Sequence, residues 1–322
     1  MINIGDLRAS YERISNYLVE TPILSSDNLN KKFEANIFLK NEVEQLTGSF
    51  KIRGALSALS HLKSQGIEGV VAFSSGNHAQ GVSKAAQIFD MKAIIVMPKD
   101  APKNKIEKTK GNGAEIVLYE RHVQSREEIA EQIAKDKDYP LVRPFDNEQI
   151  IAGQGSFGLE ACEFFLANDV KPDIVLSCTS GGGLVAGTSI AFKHYFPDAE
   201  IYPVEPLTCN DTQISLENKT RTEIKNHIPT ICDALEVEIP GKLTFPINLQ
   251  NCKKGLAVSD EEVCQAMKYL HEEFNVRGEP SGCVSLAAIL SKKIDVKRKN
   301  VLVTISGGNV DADSFDKYID SA

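Results

Sequence analysis

The sequence predicts an α/β fold. Short apolar runs alternate with longer stretches of helical period, several of those runs are too uniformly apolar to be half exposed, and turns rich in small residues follow them. Buried parallel strands connected through helices produce this pattern.

The elements follow in order. The run Asn36 to Lys40 predicts the first strand, and Gly69 to Phe73 the second, with two adjacent valines. Further strands are expected at 92–97, 115–119, 173–178, 200–204 and 301–305, each dominated by Val, Ile, Leu or aromatic side chains. Helical period marks 51–62, 77–88, 125–135, 149–167, 183–195, 260–275 and 282–292. Residues 207–258 read as irregular, with Pro229, Pro240 and Pro246, and 241–247 reads as loop; no domain boundary is expected there.

Composition bounds the function. A chain of 322 residues is long enough for about two domains, and 42% hydrophobic content is that of an ordinary globular protein. The 36 basic and 44 acidic side chains leave a net charge of −8 without a basic run, which argues against nucleic acid or an anionic membrane as partner and for a small molecule. The seven cysteines are odd in number and lack a C-x-x-C pair, so neither a disulfide framework nor a zinc ribbon is expected, and a reducing cytoplasm fits. No leader and no membrane-spanning run is visible, nor is a G-x-x-x-x-G-K-[ST] phosphate loop.

Lys51, in Thr47-Gly48-Ser49-Phe50-Lys51, stands behind small residues at a loop-to-helix junction. With Ser49 expected as N-cap, the positive end of the helix dipole disfavours its ammonium and lowers its pKa. Such an amine can attack a carbonyl and hold it as a Schiff base, although most lysines beside a glycine are solvated surface residues.

Three turns at strand ends add to this. Ser74-Ser75-Gly76-Asn77-His78 opens a helix and offers amides to a carboxylate, or is a plain helix cap by Ser75 or Asn77. Ser180-Gly181-Gly182-Gly183-Leu184 suits a phosphate; with Ala186, and Glu205 as ribose acceptor, it also fits the loose dinucleotide form G-x-G-x-x-A of an NAD-dependent oxidoreductase. Ser306-Gly307-Gly308-Asn309-Val310-Asp311 ends the last strand.

Together these residues resemble the serine/threonine dehydratases and serine racemases, in the fold type II class of pyridoxal phosphate enzymes, to which tryptophan synthase β also belongs. The resemblance runs from Arg13 and Thr21-Pro22-Ile23 through Thr47–Ala55, Ser74–Gly81, Ile151–Gly155, the glycine loop, Val204-Glu205-Pro206 and Glu279-Pro280-Ser281-Gly282 to Ser306–Asp311, in family order. It implies two open twisted α/β domains with the cofactor in the cleft between them: a large one of residues 1–60 and 147–322, a small one of 69–146, and a hinge at 61–68.

It also implies roles. Lys51 would carry pyridoxal phosphate with Phe50 beside the ring, Asn77 would bond the phenolic oxygen, and the amides of Gly181, Gly182, Gly183 and Leu184 would bind the phosphate. Ser306 would face the pyridine nitrogen, where a neutral hydroxyl favours prompt loss of a β-leaving group. Ser75, Asn77 and His78 would grip the substrate carboxylate. The implied reaction is dehydration of a small β-hydroxy amino acid, L-serine or L-threonine, to a 2-oxo acid and ammonia.

Branch markers disagree. Ser75 matches the second base of serine racemases, whereas Ala79-Gln80-Gly81 is more dehydratase-like. The racemase-like pattern implies Mg²⁺ or Ca²⁺ on Glu205, Asp211 and the carbonyl of Cys209, although Cys209 and Asn210 depart from it. Ser180 departs too, replacing the first of four glycines common in relatives. Arg126 aligns with an arginine near the racemase active site and would suit the second carboxylate of a threo-3-hydroxyaspartate dehydratase; an i,i+4 surface pair is the simpler alternative. No regulatory C-terminal domain follows Asp311, so a catabolic or racemising enzyme, and a homodimer, are expected.

Overall fold

The apolar runs become strands in the computed structural model, which describes residues 2–101, 103–121, 123–225 and 228–322. In chain order these are β1 (Ile23–Leu24), β2 (Asn36–Asn41), β3 (Gly69–Phe73), β4 (Lys92–Pro98), β5 (Glu115–Tyr119), β6 (Ile174–Cys178), β7 (Glu200–Pro206), β8 (Leu256–Val258) and β9 (Asn300–Ile305). They form two sheets, ordered β1-β2-β9-β6-β7-β8 and β3-β4-β5. Every pairing of these strands is parallel except that of β1 with β2, so the fold is α/β as expected.

This topology brings distant turns together. Because β2, β9 and β6 are adjacent and parallel, their carboxyl ends share one edge of the larger sheet. The chain leaving β2 leads to Lys51, β9 ends beside Ser306, and β6 ends before the glycine loop. That edge is where open α/β sheets bind ligands.

Helices cover the sheets. The helix Lys51–Ser64 places Ile52, Ala55, Leu56 and Leu59 in one apolar cluster with Val70, Ala72 and Ile95 of the smaller sheet. Residues 61–64, expected as part of a hinge, finish this helix. The larger sheet has its own core, with Leu39, Val175, Leu176, Val204, Leu302 and Val303 all buried.

Two sequence expectations need correcting. The helical stretch 149–167 is two helices, Glu148–Gln154 and Ser156–Ala167, broken at Gly155, where an added Cβ would lie 2.6 Å from Leu7 Cγ. The region 207–258 is not wholly irregular: it holds the helices Asp211–Asn218 and Thr244–Asn251 as well as β8. Within 241–247, read as loop, Thr244, Phe245 and Ile247 are helical and buried. Pro246 is tolerated there because the first helical turn needs no amide donor.

A buried ion network sits two residues beyond Lys51. Arg53 bonds Glu42 at 2.7 and 2.9 Å and Glu160 at 2.6 and 2.7 Å, and Lys40 meets Glu160 at 2.8 Å. Two cations face two anions, so no buried charge is left alone. All seven cysteines are free, and no helix among the described residues is long and apolar enough to cross a membrane.

Candidate active site

Lys51 is the first residue of its helix. Gly48 makes the preceding turn with φ of +70°, but the N-cap is Phe50 and not Ser49, whose hydroxyl is buried without a partner. The amine donates to the carbonyl of Pro144 at 3.2 Å and lies 5.1 Å from the centroid of the Phe50 ring. Burial brings its pKa from 10.5 down to about 8. An appreciable fraction is therefore neutral and nucleophilic near physiological pH.

The amine faces a cavity of about 450 Å³ whose lining includes Phe50, Asn77, Cys178, the loop Ser180–Leu184 and Ser306. Thus Lys51, the glycine loop, Asn77 and Ser306 share one cavity. The helix Gly183–Tyr195 starts there, its N-cap Gly182 held at φ of +90° without a side-chain cap. Among the described residues, the amides of Gly181, Gly182, Gly183 and Leu184 donate to no protein acceptor. Unsatisfied donors at a helix start suit an anion.

Two positions of the cradle require glycine, Gly181 against an aromatic ring and Gly182 at its positive φ, whereas at Gly183 the nearest atom ends a side chain that can move. An added Cβ would lie 2.2 Å from the Phe145 ring at Gly181, 2.5 Å from Asn248 Nδ2 at Gly182, and 2.5 Å from Gln154 Oε1 at Gly183. Donor-rich backbone, a poised amine and a neutral hydroxyl at Ser306 together fit pyridoxal phosphate. Burial also pushes the Cys178 thiol up to about 11, keeping that neighbour uncharged.

A second cavity, of about 700 Å³, adjoins the first and shares Lys51 and Asn77 with it. Ser75, His78 and Arg126 line it. The helix Asn77–Ile88 is capped by neither Ser75 nor Asn77: Gly76 is its N-cap, without a side-chain bond. Asn77 is engaged elsewhere, donating to Glu279 Oε1 at 2.6 Å and accepting from Asn309 Nδ2 at 2.8 Å.

His78 lines this cavity with its side chain tied to the backbone. Its ring is buried and Nε2 meets the carbonyl of Val142 at 3.0 Å, while burial, reinforced by Lys51, lowers its pKa to about 3. The imidazole is therefore neutral, with Nε2 committed to the backbone and Nδ1 buried without a partner among the described residues. Arg126 bonds Glu127 at 2.8 Å and stacks 5.4 Å from the Phe73 centroid, not in an i,i+4 pair.

Glu205 and Asp211 are both buried. Glu205 accepts from the amides of Thr212 at 3.0 Å and Gln213 at 2.8 Å, and it lines neither the cavity of the glycine loop nor the one beside it, so it is not placed there as the ribose acceptor that the dinucleotide reading expected. Both oxygens of Asp211 lack a partner. Burial pushes both carboxyls well up, and their mutual repulsion lifts Asp211 further. Among the described residues no cluster of three or more His, Cys, Asp or Glu side chains is arranged to hold a metal ion.

Sequence reasoning gave no role to Phe145, Gln154 or Glu279, which also line the cofactor cavity. Gln154 and Glu279 lie in runs that carried the resemblance, which was the available signal; Phe145 had none.

Comparison with known proteins agrees with this geometry. The family of pyridoxal-phosphate dependent enzymes matches residues 14–307. A serine racemase of Schizosaccharomyces pombe is 38% identical over 316 residues, covering 98% of this chain and 96% of the relative. An L-threo-3-hydroxyaspartate ammonia-lyase of Saccharomyces cerevisiae is 38% identical over 308 residues, covering 95% and 93%. The structure of maize serine racemase superposes with a TM-score of 0.92 at 32% identity, covering 98% of this chain and 96% of that one.

Proposed function

The chain belongs to the pyridoxal-phosphate dependent enzyme family, and from that premise we propose that it dehydrates small β-hydroxy amino acids, such as L-serine or L-threonine, to a 2-oxo acid and ammonia, with serine racemisation as a second outcome. The observation that carries this is the shared cavity of Lys51, the glycine loop and Ser306. Bound there, pyridoxal phosphate supplies an electron sink that makes the Cα proton of an amino acid acidic. Lys51 would hold the cofactor and, with its amine free, would take that proton and pass it to the departing β-hydroxyl, which leaves as water as the C–O bond breaks; a pKa lowered by burial to about 8 suits the amine to both roles.

Asn77, the glycine-loop amides and Ser306 position the cofactor, and Phe50 flanks it. Ser75 and the uncapped amides at the start of the helix Asn77–Ile88 hold the substrate carboxylate, His78 contributing through its backbone. Ser75, lining the same cavity as Lys51, returns or removes a proton as the second base, which gives the racemase branch. The purified protein should absorb visible light as a lysine-bound cofactor does, lose that band in Lys51→Ala, and release pyruvate from L-serine. A colourless, inactive protein after cofactor addition would refute the assignment.

One observation favours a second substrate, threo-3-hydroxyaspartate. Arg126 lines the substrate cavity beside Lys51, Ser75 and Asn77. Its guanidinium, paired with Glu127 at 2.8 Å, suits a second carboxylate that takes the place of that partner. A panel of serine, threonine and threo-3-hydroxyaspartate, assayed for 2-oxo acid and for the opposite enantiomer, separates the substrates.

We further infer a Mg²⁺ or Ca²⁺ ion on Glu205, Asp211 and the carbonyl of Cys209. The support is the pair of buried carboxyls, one with both oxygens unpartnered, since a cation compensates such a pair. Division into a larger part (1–60 and 147–322) and a smaller (69–146) joined through 61–68, a homodimer and a cytoplasmic setting complete the proposal. Limited proteolysis, sedimentation and cell fractionation test these.

A further inference from the structure

The glycine-loop amides are free for a ligand because other groups hold the carbonyls. A peptide unit is planar and trans, so a fixed C=O aims the next N–H in the opposite direction. Thr244 Oγ1 donates to the Gly181 carbonyl at 2.6 Å, and the amide of Gly241 donates to the same oxygen at 3.2 Å. Asn248 Nδ2, at 3.3 Å, and the amide of Ala186, at 2.9 Å, donate to the Gly182 carbonyl. The amides of Gly182 and Gly183 therefore point away from the helix Thr244–Asn251.

That helix cannot cap itself, since its N-cap residue is Leu243. An acid from a distant part of the chain supplies what is missing. Asp146 accepts from the amide of Lys242 at 3.0 Å with one carboxylate oxygen and from that of Leu243 at 2.7 Å with the other. Packing is close: an added Cβ on Gly241 would lie 2.6 Å from both Asp146 Oδ1 and Thr244 Oγ1. Asp146 follows Pro144, whose carbonyl takes the Lys51 amine, and Phe145, whose ring leaves no room for a Cβ on Gly181.

On the reading of this cavity as the cofactor site, we propose that Asp146 is a positioning residue that sets the phosphate preference of the cavity. Its carboxylate fixes the backbone of Lys242 and Leu243, the adjoining Thr244 hydroxyl fixes the Gly181 carbonyl, and the amides beyond it are thereby aimed. Asp146 reaches the phosphate only through this relay. Losing it leaves the amine and the ring contacts in place but lets the phosphate donors turn.

The test compares pyridoxal phosphate with pyridoxal, which lacks the phosphate, on cofactor-free full-length protein, each titrated by visible absorbance. Wild type should prefer the phosphorylated form strongly. Asp146→Ala should cut that preference by about tenfold or more, equivalent to the loss of about 1.4 kcal/mol, with pyridoxal binding changed by less than about twofold. Asp146→Asn, which keeps one acceptor, should fall between, and Thr244→Val should reduce the same ratio. If Asp146→Ala does not fold, these two variants decide. Equal weakening of both ligands, or no change in the ratio, overturns the role of Asp146. A wild type that does not prefer the phosphate overturns the cofactor-site reading instead, so the two failures are distinct.

Discussion

Asn77 donates to Glu279 at 2.6 Å across 202 positions of sequence, joining the start of one helix to the N-cap of another at the wall of the cofactor cavity. Burial lifts Glu279 from 4.5 to about 7, so the folded protein holds its proton more tightly than the unfolded chain does. The stability it contributes is complete below the unfolded value and lost as pH rises through about 7. Calorimetry of wild type and Glu279→Gln should show wild type losing on the order of 3 kcal/mol relative to the variant between about pH 4 and pH 8. A pH-independent difference would exclude this role for the carboxyl.

Lys51 should react as an unusually acidic amine. Cofactor-free protein should take up pyridoxal phosphate at a rate that rises with pH and has its midpoint at about 8, because only the neutral amine attacks. Stopped-flow absorbance across pH checks this. Lys51→Ala and Lys51→Arg should form no lysine-bound band.

Ser75→Ala should separate the two activities. Conversion of L-serine to D-serine should fall by about 100-fold or more, while 2-oxo acid release from one enantiomer stays within about threefold. Chiral chromatography beside a pyruvate assay reads both. Parallel loss of the two would remove Ser75 as second base.

Arg126→Ala should raise KM for threo-3-hydroxyaspartate by about tenfold and leave KM for serine nearly unchanged, the modest factor reflecting a half-exposed guanidinium. Steady-state kinetics on both substrates decide the matter, and equal shifts in KM would mean that Arg126 acts on the cavity in general.

Removal of divalent cations should lower the melting temperature, and Mg²⁺ at about 100 times its dissociation constant should restore about 2.7 kcal/mol. Asp211→Asn should abolish that response, since it removes one of the two carboxylates on which the cation depends. Thermal melts with a chelator and with added Mg²⁺ measure it.

The strands were legible as short apolar runs: 69–73, buried throughout, and 115–119, of which only Tyr119 is buried and Leu118 is exposed, both have the bounds read from sequence. The helices Asn77–Ile88 and Gly183–Tyr195 were legible because glycine turns mark their starts. β1 and β8, only two and three residues long, carry no period to detect. The helix Lys103–Gly111 is dominated by lysine and polar residues, and Thr244–Asn251 begins with a proline in its first turn; both hide the usual signals. In the site, the residue types were readable but not their commitments. His78 to Val142 spans 64 positions and Asp146 to Leu243 spans 97, and no local pattern encodes such pairings.

The ion network behind Lys51 bears on accuracy of placement more than on strength. Burying charges is expensive, and a well-packed apolar substitute can match or exceed a buried ion pair in stability. What hydrocarbon cannot reproduce is a penalty for being slightly wrong: were the helix carrying Lys51 to rotate or slide by one residue, Arg53 would lose both carboxylates at once. Lys40, Glu42, Arg53 and Glu160 thus act as a combination lock on the catalytic helix. An apolar replacement of all four would be expected to melt no earlier, yet to hold the Lys51 amine over a broader range of positions.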